Sequence, residues 1–262
     1  TGTRVNATQA YATLNSAIDN VFCHPNVGPF ISRHLIKFLV TSTPTPAYVQ
    51  RVAAVFNDNG SGIRGDMKAV IRAILLDDEA VSPATTLTAT EYAKFGKLKE
   101  PMLRLSAILR AFNGTASSGR YRLLYINGVD DGISQGPLQS PTVFNYFHPE
   151  FAPPGPVSSN AAIAPEFEIT TTTAVASTQN FFGSLVTNSM GSNSSGIYPN
   201  RQDGLGDFSG TCDANNTQDC ILSNLSNLYA IHTDTVGIFN YLNLVLMDGT
   251  LSTANRDALE PA

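Results

Sequence analysis

Three short amphipathic helices joined by tight turns are predicted between residues 17 and 77, and this run constrains the fold more than any other feature. Apolar residues recur at helical spacing over residues 27–38, 49–56 and 67–75. Pro44 and Pro46 interrupt the pattern once, and the Asn57-Asp58-Asn59-Gly60 turn interrupts it again. Because helices this short cannot bury an apolar face alone, we expect the three to pack against one another.

The spacing in the first of these helices also predicts which face is buried. The predicted buried stripe consists of Val27, Phe30, Ile31, His34, Leu35 and Phe38. Arg33 and Lys37, one turn apart on the other side, are expected to form a solvated flank.

The rest of the chain predicts further helices separated by irregular segments. Helices are expected over residues 8–23, 101–112, 165–186, 219–230, 233–247 and 253–259. A polar connector is expected over residues 81–90, a short strand or extended stretch over 121–126, a short helix laid onto the core within 140–156, and a long polar loop over 188–217. The predicted fold is mainly α, an irregular multi-helix bundle with long loops and little or no β-structure, in one domain over residues 1–262.

Charge and composition narrow the possible partners. Charged residues make up only 14% of the chain, the net charge is −5, and no cluster of Lys and Arg exists. We therefore expect no nucleic-acid groove, because such grooves need clustered cations.

The abundance of Ser, Thr and Asn is typical of secreted bacterial proteins, and no apolar run is long enough to span a bilayer. The chain begins with Thr1 rather than Met, so any targeting segment is expected to lie outside it.

The three cysteines lie in two different settings. Cys212 and Cys220 flank a short polar segment, where a disulfide is favoured over a metal pair and implies an oxidising compartment. Two unpaired thiols remain the alternative. Cys23 follows Val21 and Phe22 at the end of a predicted helix, so we expect it to be buried and inert.

A calcium site is the first candidate for bound metal. Asp203, Asp207, Asp213 and Asp219 lie in or beside the long polar loop, where glycines also permit backbone carbonyls to serve as ligands. The loop matches neither the EF-hand pattern nor a calcium-binding repeat. The alternative is a hydrophilic loop fastened by Cys212 and Cys220.

Three further residues are candidates for polar chemistry, each with a structural alternative. His24 precedes a proline at a helix junction, where an imidazole commonly caps a carbonyl. His148 and Glu150 flank Pro149 in a block rich in aromatic residues, and a metal or general-base role there needs further convergent groups. The nearby aromatic residues Phe144, Tyr146, Phe147 and Phe151 offer a carbohydrate platform or, as the simpler interpretation, core packing. No GxSxG or GxGxxG motif is present.

Four separated blocks resemble a known bacterial family. They are FCHPNVGPFISRHLIKFLVTSTPTPAYVQRVAAVFNDNGSGIRGDMKAVIRAILLD, GKLKEPMLRLSAILRAF, LQSPTVFNYFHPEFAPPGP and APEFEITTTTA. In this order they resemble the C-terminal half of the domain-of-unknown-function 1800 (DUF1800) proteins. The resemblance implies an exported, mainly helical protein that is longer than this chain, and it names no reaction or cofactor. Any site shared with an N-terminal half would be incomplete here.

Two functional hypotheses follow from these observations. The first is a non-enzymatic extracytoplasmic module, periplasmic, cell-surface or secreted, that packs against its own N-terminal half, another exported protein or further copies of itself. The second is a hydrolase acting on an extracellular polymer or ester, with a metal- or carboxylate-based site shared with the missing half. A tightly bound metal would favour the enzyme, and a large exposed apolar patch would favour assembly.

Overall fold

The computed structural model describes residues 6–115, 119, 126–130, 132–143, 145–190 and 226–259. The helices are α1 (Ala7–Phe22), α2 (Val27–Leu39), α3 (Pro46–Asn57), α4 (Met67–Leu75), α5 (Asp78–Val81), α6 (Pro83–Thr86), α7 (Ala89–Tyr92), α8 (Pro101–Ala111), α9 (Pro156–Ser159), a 3-10 helix (Pro165–Ile169), α10 (Thr172–Met190), α11 (Ser226–Ala230), α12 (Thr235–Met247) and α13 (Thr253–Leu259). No β-strand occurs among the described residues, where Thr142 and Asn145 form an isolated bridge. The mainly helical fold is confirmed.

The chain divides into two compact units. Unit 1 contains residues 1–98 and 147–168, and unit 2 contains residues 99–146 and 169–262. The prediction of one domain over residues 1–262 stays a prediction. None of the described helices is both long enough and apolar enough to cross a membrane.

The core of unit 1 lies between α2, α3 and α4, as the sequence predicts. Ile36, Tyr48, Val52, Phe56, Val70 and Ile74 are all buried there. The Tyr48 hydroxyl donates a hydrogen bond of 2.5 Å to the Ile74 carbonyl oxygen, which satisfies the one polar group of this ring inside the core. Thr45 begins α3 by accepting the Tyr48 amide proton with its side chain.

The predicted buried face of α2 was right for Val27, Ile31 and Leu35, which pack against the core, but wrong for Phe30 and Phe38. Ser32, Ile36 and Lys37 are buried, whereas Phe30 and Phe38 are each about half exposed. The segment Val27–Leu39 carries apolar residues nearly all the way around the helix. Periodicity therefore cannot select one face, and the packing of α3 and α4 selects it instead.

An arginine holds the end of α4 against α3. The Arg51 guanidinium donates to both carboxylate oxygens of Asp77 at 2.8 and 2.7 Å and to Glu79 at 2.9 Å. The Thr45 hydroxyl donates to the same Glu79 carboxylate. These bonds pair one guanidinium with two carboxylates whose side chains are almost fully buried.

Helix α1 is fastened to the rest of unit 1 at its C-terminal end. Arg64 donates to the carbonyl oxygens of Phe22 and His24, and its guanidinium lies over the Phe22 ring. The same ring lies directly against Gly65, whose φ of +76° is accessible mainly to glycine. No residue of α1 is buried.

Two predictions about loops were wrong. Residues 78–92 form three short helices rather than a polar connector, because Asp77 and Thr88 cap helix N-termini and Pro83 occupies the first turn of another. The short helix expected within residues 140–156 does not form among the described residues before Pro156. Its residues form turns, with Asn145 at a φ of 70°, and the nearby helix α9 begins at Pro156.

The returning segment, residues 147–168, closes unit 1. Phe147, Ala164 and Pro165 are buried, and Ala164 donates its amide proton to Phe151. The Thr43 hydroxyl accepts the Ile163 amide proton at 3.1 Å, which ties the segment to the turn after α2. The burial of Phe147 fits the core-packing interpretation of the aromatic block.

Unit 2 has its own apolar core. Leu105 from α8 and Phe181 from α10 are buried with Ile126 and Ile133. The single helix predicted over residues 165–186 is instead a 3-10 turn followed by α10, with the break at Thr170 and Thr171. Residues 188–190, which were expected to begin the long loop, end α10. Residues 191–217 of that loop and residues 121–125 of the predicted strand lie outside the described residues.

Candidate functional site

The sequence candidate Glu150 meets two charged partners on α2. Lys37 Nζ donates to Glu150 Oε1 at 2.6 Å and to the Pro149 carbonyl oxygen at 2.8 Å, while Arg33 donates to Glu150 Oε2 at 3.0 Å. The Lys37 side chain is 4% exposed and that of Glu150 is 53% exposed. The expectation of a solvated Arg33–Lys37 flank was therefore wrong for Lys37, since Glu150 compensates its buried charge.

The pKa shifts in this cluster reflect burial and pairing. Burial lowers the pKa of Lys37, and the hydrogen bond to Glu150 partly offsets this effect. Burial alone would raise the pKa of Glu150, but the hydrogen bond and charge of Lys37 outweigh it and hold that pKa below its ordinary value. Burial and the neighbouring Lys37 lower the pKa of His34, whose ring packs against Phe30 with centroids 4.5 Å apart. His34 is therefore a half-buried packing residue.

A second lysine closes the C-terminus of α2. Lys97 Nζ donates to the carbonyl oxygens of Lys37 and Phe38 at 3.3 and 3.0 Å, and it pairs with Glu166 at 2.9 Å. These carbonyls belong to the last turn of the helix, where a cation is favourable. Glu166 is 2% exposed. Its buried carboxylate thus provides the countercharge of Lys97.

His148 is paired with a carboxylate that sequence reasoning did not link to it. His148 Nδ1 lies 2.8 Å from Glu168 Oε1, and the His148 amide donates to Glu168 Oε2 at 2.6 Å. Burial tends to raise the pKa of Glu168, but its bonds to His148 hold it below the ordinary value. A carboxylate that fixes one ring nitrogen orients the imidazole, which is the arrangement of a general base. A hydrolase also needs a nucleophile or activated water and donors for the developing oxyanion.

The junction between α1 and α2 corrects two expectations. His24 Nδ1 accepts the Asn26 amide proton at 3.1 Å, so this imidazole caps an N–H at the start of α2 rather than a carbonyl. Cys23 is exposed and unpaired, contrary to the prediction of a buried thiol. The helix face that was expected to bury Cys23 is itself uncovered.

The predicted metal and disulfide residues cannot be placed. Asp203, Asp207, Asp213 and Asp219, together with Cys212 and Cys220, lie outside the described residues. Within the part of the chain that the structure describes, no group of three His, Cys, Asp or Glu side chains is arranged to hold a metal ion.

An apolar row along α1 is exposed on the surface of unit 1. Tyr11, Leu14, Ile18 and Val21 follow the alternating spacing of three and four residues that places side chains on one helix face. They are 67%, 54%, 54% and 67% exposed. We call these four residues the α1 seam. The helical spacing of Leu14, Ile18 and Val21 in the sequence indicates an apolar face, and the structure leaves that face exposed.

The α1 seam continues onto the start of α2. Val21 and Phe30 line the same shallow cavity of about 290 Å³, together with Asn20, His24, Asn26 and Val27. Phe30 is itself 55% exposed. The exposed apolar surface therefore runs from α1 across the helix junction to α2.

Comparison with family models decides the relationship of the chain to known proteins. The model described as "Protein of unknown function (DUF1800)" matches residues 2–262. The chain belongs to the DUF1800 family. Neither the curated proteins nor the solved structures include a significant match to it.

Three side chains of this DUF1800 chain that bind distant residues were not identified from the sequence. Lys97, Glu168 and Arg64 each act on residues at least 20 positions away. Local periodicity carries no information on such pairing. The available signal was weak: Arg64 stands between two glycines in a turn, and Glu166 and Glu168 are isolated acids beside a proline.

Proposed function

We propose that this DUF1800 chain is a non-catalytic interaction module of an exported protein, and that the α1 seam with Phe30 is its docking surface. The observation that carries the proposal is the exposure of a regular apolar face on a helix that has no buried residue. Large apolar patches on soluble proteins commonly mark interaction sites. A second helix laid along α1 would bury this face.

The local geometry supports docking of a preformed helix surface. Asn6 and Gln9 form a reciprocal capping box at the N-terminus of α1, and Arg64 holds its C-terminus. Both ends are therefore fixed by hydrogen bonds. A partner need not order this helix from a disordered segment, which would reduce its net affinity.

The test is the size of the complex that contains the chain in the cells that produce it. Ile18→Asp places a charge in the middle of the α1 seam, and we expect it to shift the protein from a larger complex to its free size. Ser16→Asp, on the polar face of the same helix, is the matched control. If both variants remain in the same complex as the wild type, the proposal is wrong.

Export is a separate part of this proposal. The low content of charged residues and the spacing of Cys212 and Cys220 support an oxidising, extracytoplasmic location. Cell fractionation followed by peptide mass mapping tests it. We expect the chain in the extracytoplasmic fraction with Cys212 linked to Cys220. Cytoplasmic recovery with both thiols reduced would contradict the expectation.

The His148–Glu168 pair favours a second candidate function, a hydrolase acting on an extracellular ester or polymer. In that function His148 removes a proton from water or a hydroxyl group while Glu168 orients its ring. His148→Ala and Glu168→Gln should then abolish ester hydrolysis while leaving the complex size unchanged. Hydrolysis that is unaffected by both variants would exclude this pair as the base.

A further inference from the structure

We propose that the partner docked on the α1 seam is a second copy of this chain, with the two α1 helices packed antiparallel. This inference rests on the proposed docking function and names its occupant. It follows from four properties of unit 1: the pattern of the α1 seam, the charge of α1, the position of the body of the unit, and the exposed area.

The α1 seam has the pattern of a coiled-coil contact that is about two heptads long. Tyr11 and Ile18 take one core position, and Leu14 and Val21 take the other. Ala10 and Ala17 flank the row on one side, and these small side chains allow a close approach of two helix backbones. Such a short contact is marginal alone. The continuation to Phe30 extends it.

The charge of α1 favours a copy of itself. Asp19 is the only ionisable group with a formal charge at neutral pH between Ala7 and Phe22, and it lies off the seam. In helix pairs, charged residues beside the apolar row select a partner of opposite charge. Helix α1 has none at its flanking positions, so it neither requires a charged partner nor repels its own copy.

The position of the remainder of unit 1 relative to α1 favours an antiparallel orientation of the two α1 helices. Arg64 and Gly65 hold the C-terminal end of α1 against α3 and the following turn. Parallel pairing would bring two such bodies together at one end. Antiparallel pairing places them at opposite ends and aligns the two helix dipoles favourably.

One antiparallel register engages the complete seam. It places Tyr11 opposite the partner's Val21, and Leu14 opposite the partner's Ile18. In the same register, the alanines near the start of one α1 helix lie near the cavity beside the partner's Phe30. These small side chains leave room for the exposed Phe30 ring.

The exposed area is sufficient for a weak dimer. The seam residues and Phe30 are five side chains, each more than half exposed. At on the order of 100 Å² each, they offer roughly 500 Å² per copy. Stable interfaces bury about 800 Å² per partner, and transient ones bury less. We therefore expect a dimer that dissociates on dilution.

A membrane surface fits this helix less well. Interfacial helices that bind anionic lipids carry Lys and Arg on their polar face, and α1 carries neither. Helix α1 therefore lacks the electrostatic attraction that such binding uses.

Sedimentation velocity of the purified chain across a series of micromolar concentrations tests the inference. We expect a shift from the 27.9 kDa monomer toward twice that mass, which Ile18→Asp abolishes and the polar-face control Ser16→Asp retains. A wild-type chain that stays monomeric at every concentration overturns the inference. A separate assay mixes the chain with vesicles of phosphatidylcholine and phosphatidylglycerol, and a monomer that cosediments with them also overturns it. The docking proposal itself still stands if Ile18→Asp disrupts the native complex, so the two failures are distinguishable.

Disulfide trapping tests the orientation in a Cys23→Ser background. Mixing Tyr11→Cys and Val21→Cys proteins under mild oxidation should give the 11–21 crosslinked dimer, identified by peptide mass, in large excess over either self-crosslinked species. Predominant self-crosslinking of Tyr11→Cys indicates parallel pairing and overturns the antiparallel arrangement. The control mixes Ser16→Cys, on the polar face of α1, with Val21→Cys. If the 11–21 crosslink forms in no higher yield than this 16–21 crosslink, both arise from random collision and the antiparallel arrangement is overturned.

Discussion

Lys37 donates a 2.6 Å hydrogen bond to Glu150, which lies 113 residues further along the chain. The contact ties the returning segment, residues 147–168, to the buried side of α2. The Lys37 charge is almost completely removed from water and the Glu150 carboxylate compensates it. This ion pair therefore stabilises the packing of residues 147–168 against α2 in unit 1.

Glu150→Gln should destabilise unit 1 because it leaves the Lys37 ammonium buried without its countercharge. We expect the free energy of unfolding to fall by about 1.5–3 kcal/mol, the range for a lost hydrogen bond to a charged group. Urea unfolding measures this change. Adding Lys37→Met should restore part of the loss, since the methionine keeps the buried stem and removes the charge. A single variant as stable as the wild type would contradict the proposed role.

The same pair predicts the pH dependence of stability. The pKa of folded Glu150 lies below its ordinary value of 4.5. The stability contributed by its charged form is therefore fully present above the unfolded pKa and is lost as the pH falls through the folded pKa. Urea unfolding between neutral and acid pH should show a steeper loss of stability for the wild type than for Glu150→Gln. Equal slopes would show that Glu150 contributes nothing to the acid response.

Gly65→Ala should loosen the attachment of α1. A Cβ at Gly65 would lie 2.5 Å from Phe22 Cζ, and the backbone has a φ of +76°. Gly62→Ala is the matched control, because its φ is +78° and no atom lies within 4 Å of the added carbon. We expect Gly62→Ala to cost about 1 kcal/mol for backbone strain, and Gly65→Ala to cost more and to increase amide exchange in α1. Equal effects would show that the Phe22 contact is unimportant.

The helices of this chain could be predicted from sequence because their signals are local. Pro46 and Pro101 begin α3 and α8, and Asp66 caps α4. The face of α2 could be predicted only in part, because Val27, Ile31 and Leu35 do pack against the core but Ile36 and Phe38 are equally apolar. Only the arrangement of α3 and α4 makes the first buried and the second half exposed.

The candidate site could be predicted only in part. His148 and Glu150 stood out because polar groups in an aromatic block are unusual. Their partners Glu168 and Lys37 depend on tertiary pairing that no spacing rule encodes. The apolar face of α1 was visible in the sequence, but its exposure depends on what the remainder of the chain leaves uncovered.

Arg51→Gln should destabilise the joint between α3 and α4. The change leaves the buried carboxylates of Asp77 and Glu79 without their guanidinium. We expect a loss of about 2–3 kcal/mol by urea unfolding, below the value for a fully buried pair because Arg51 is half exposed. Arg72→Gln, at an exposed arginine of α4, should change stability by less than about 0.5 kcal/mol. Similar losses for the two variants would contradict the assignment.

The fluorescence of a single tryptophan at Tyr11 tests the central claim most directly, namely that the α1 seam is uncovered in the single chain and covered when a second copy docks on it. The chain contains no tryptophan, so Tyr11→Trp reports from this position alone. We predict solvent-exposed emission in dilute solution and a blue shift as concentration rises, whereas Ser16→Trp on the polar face stays unchanged. Emission that is already blue-shifted at the lowest concentration, or that never shifts, would contradict the account.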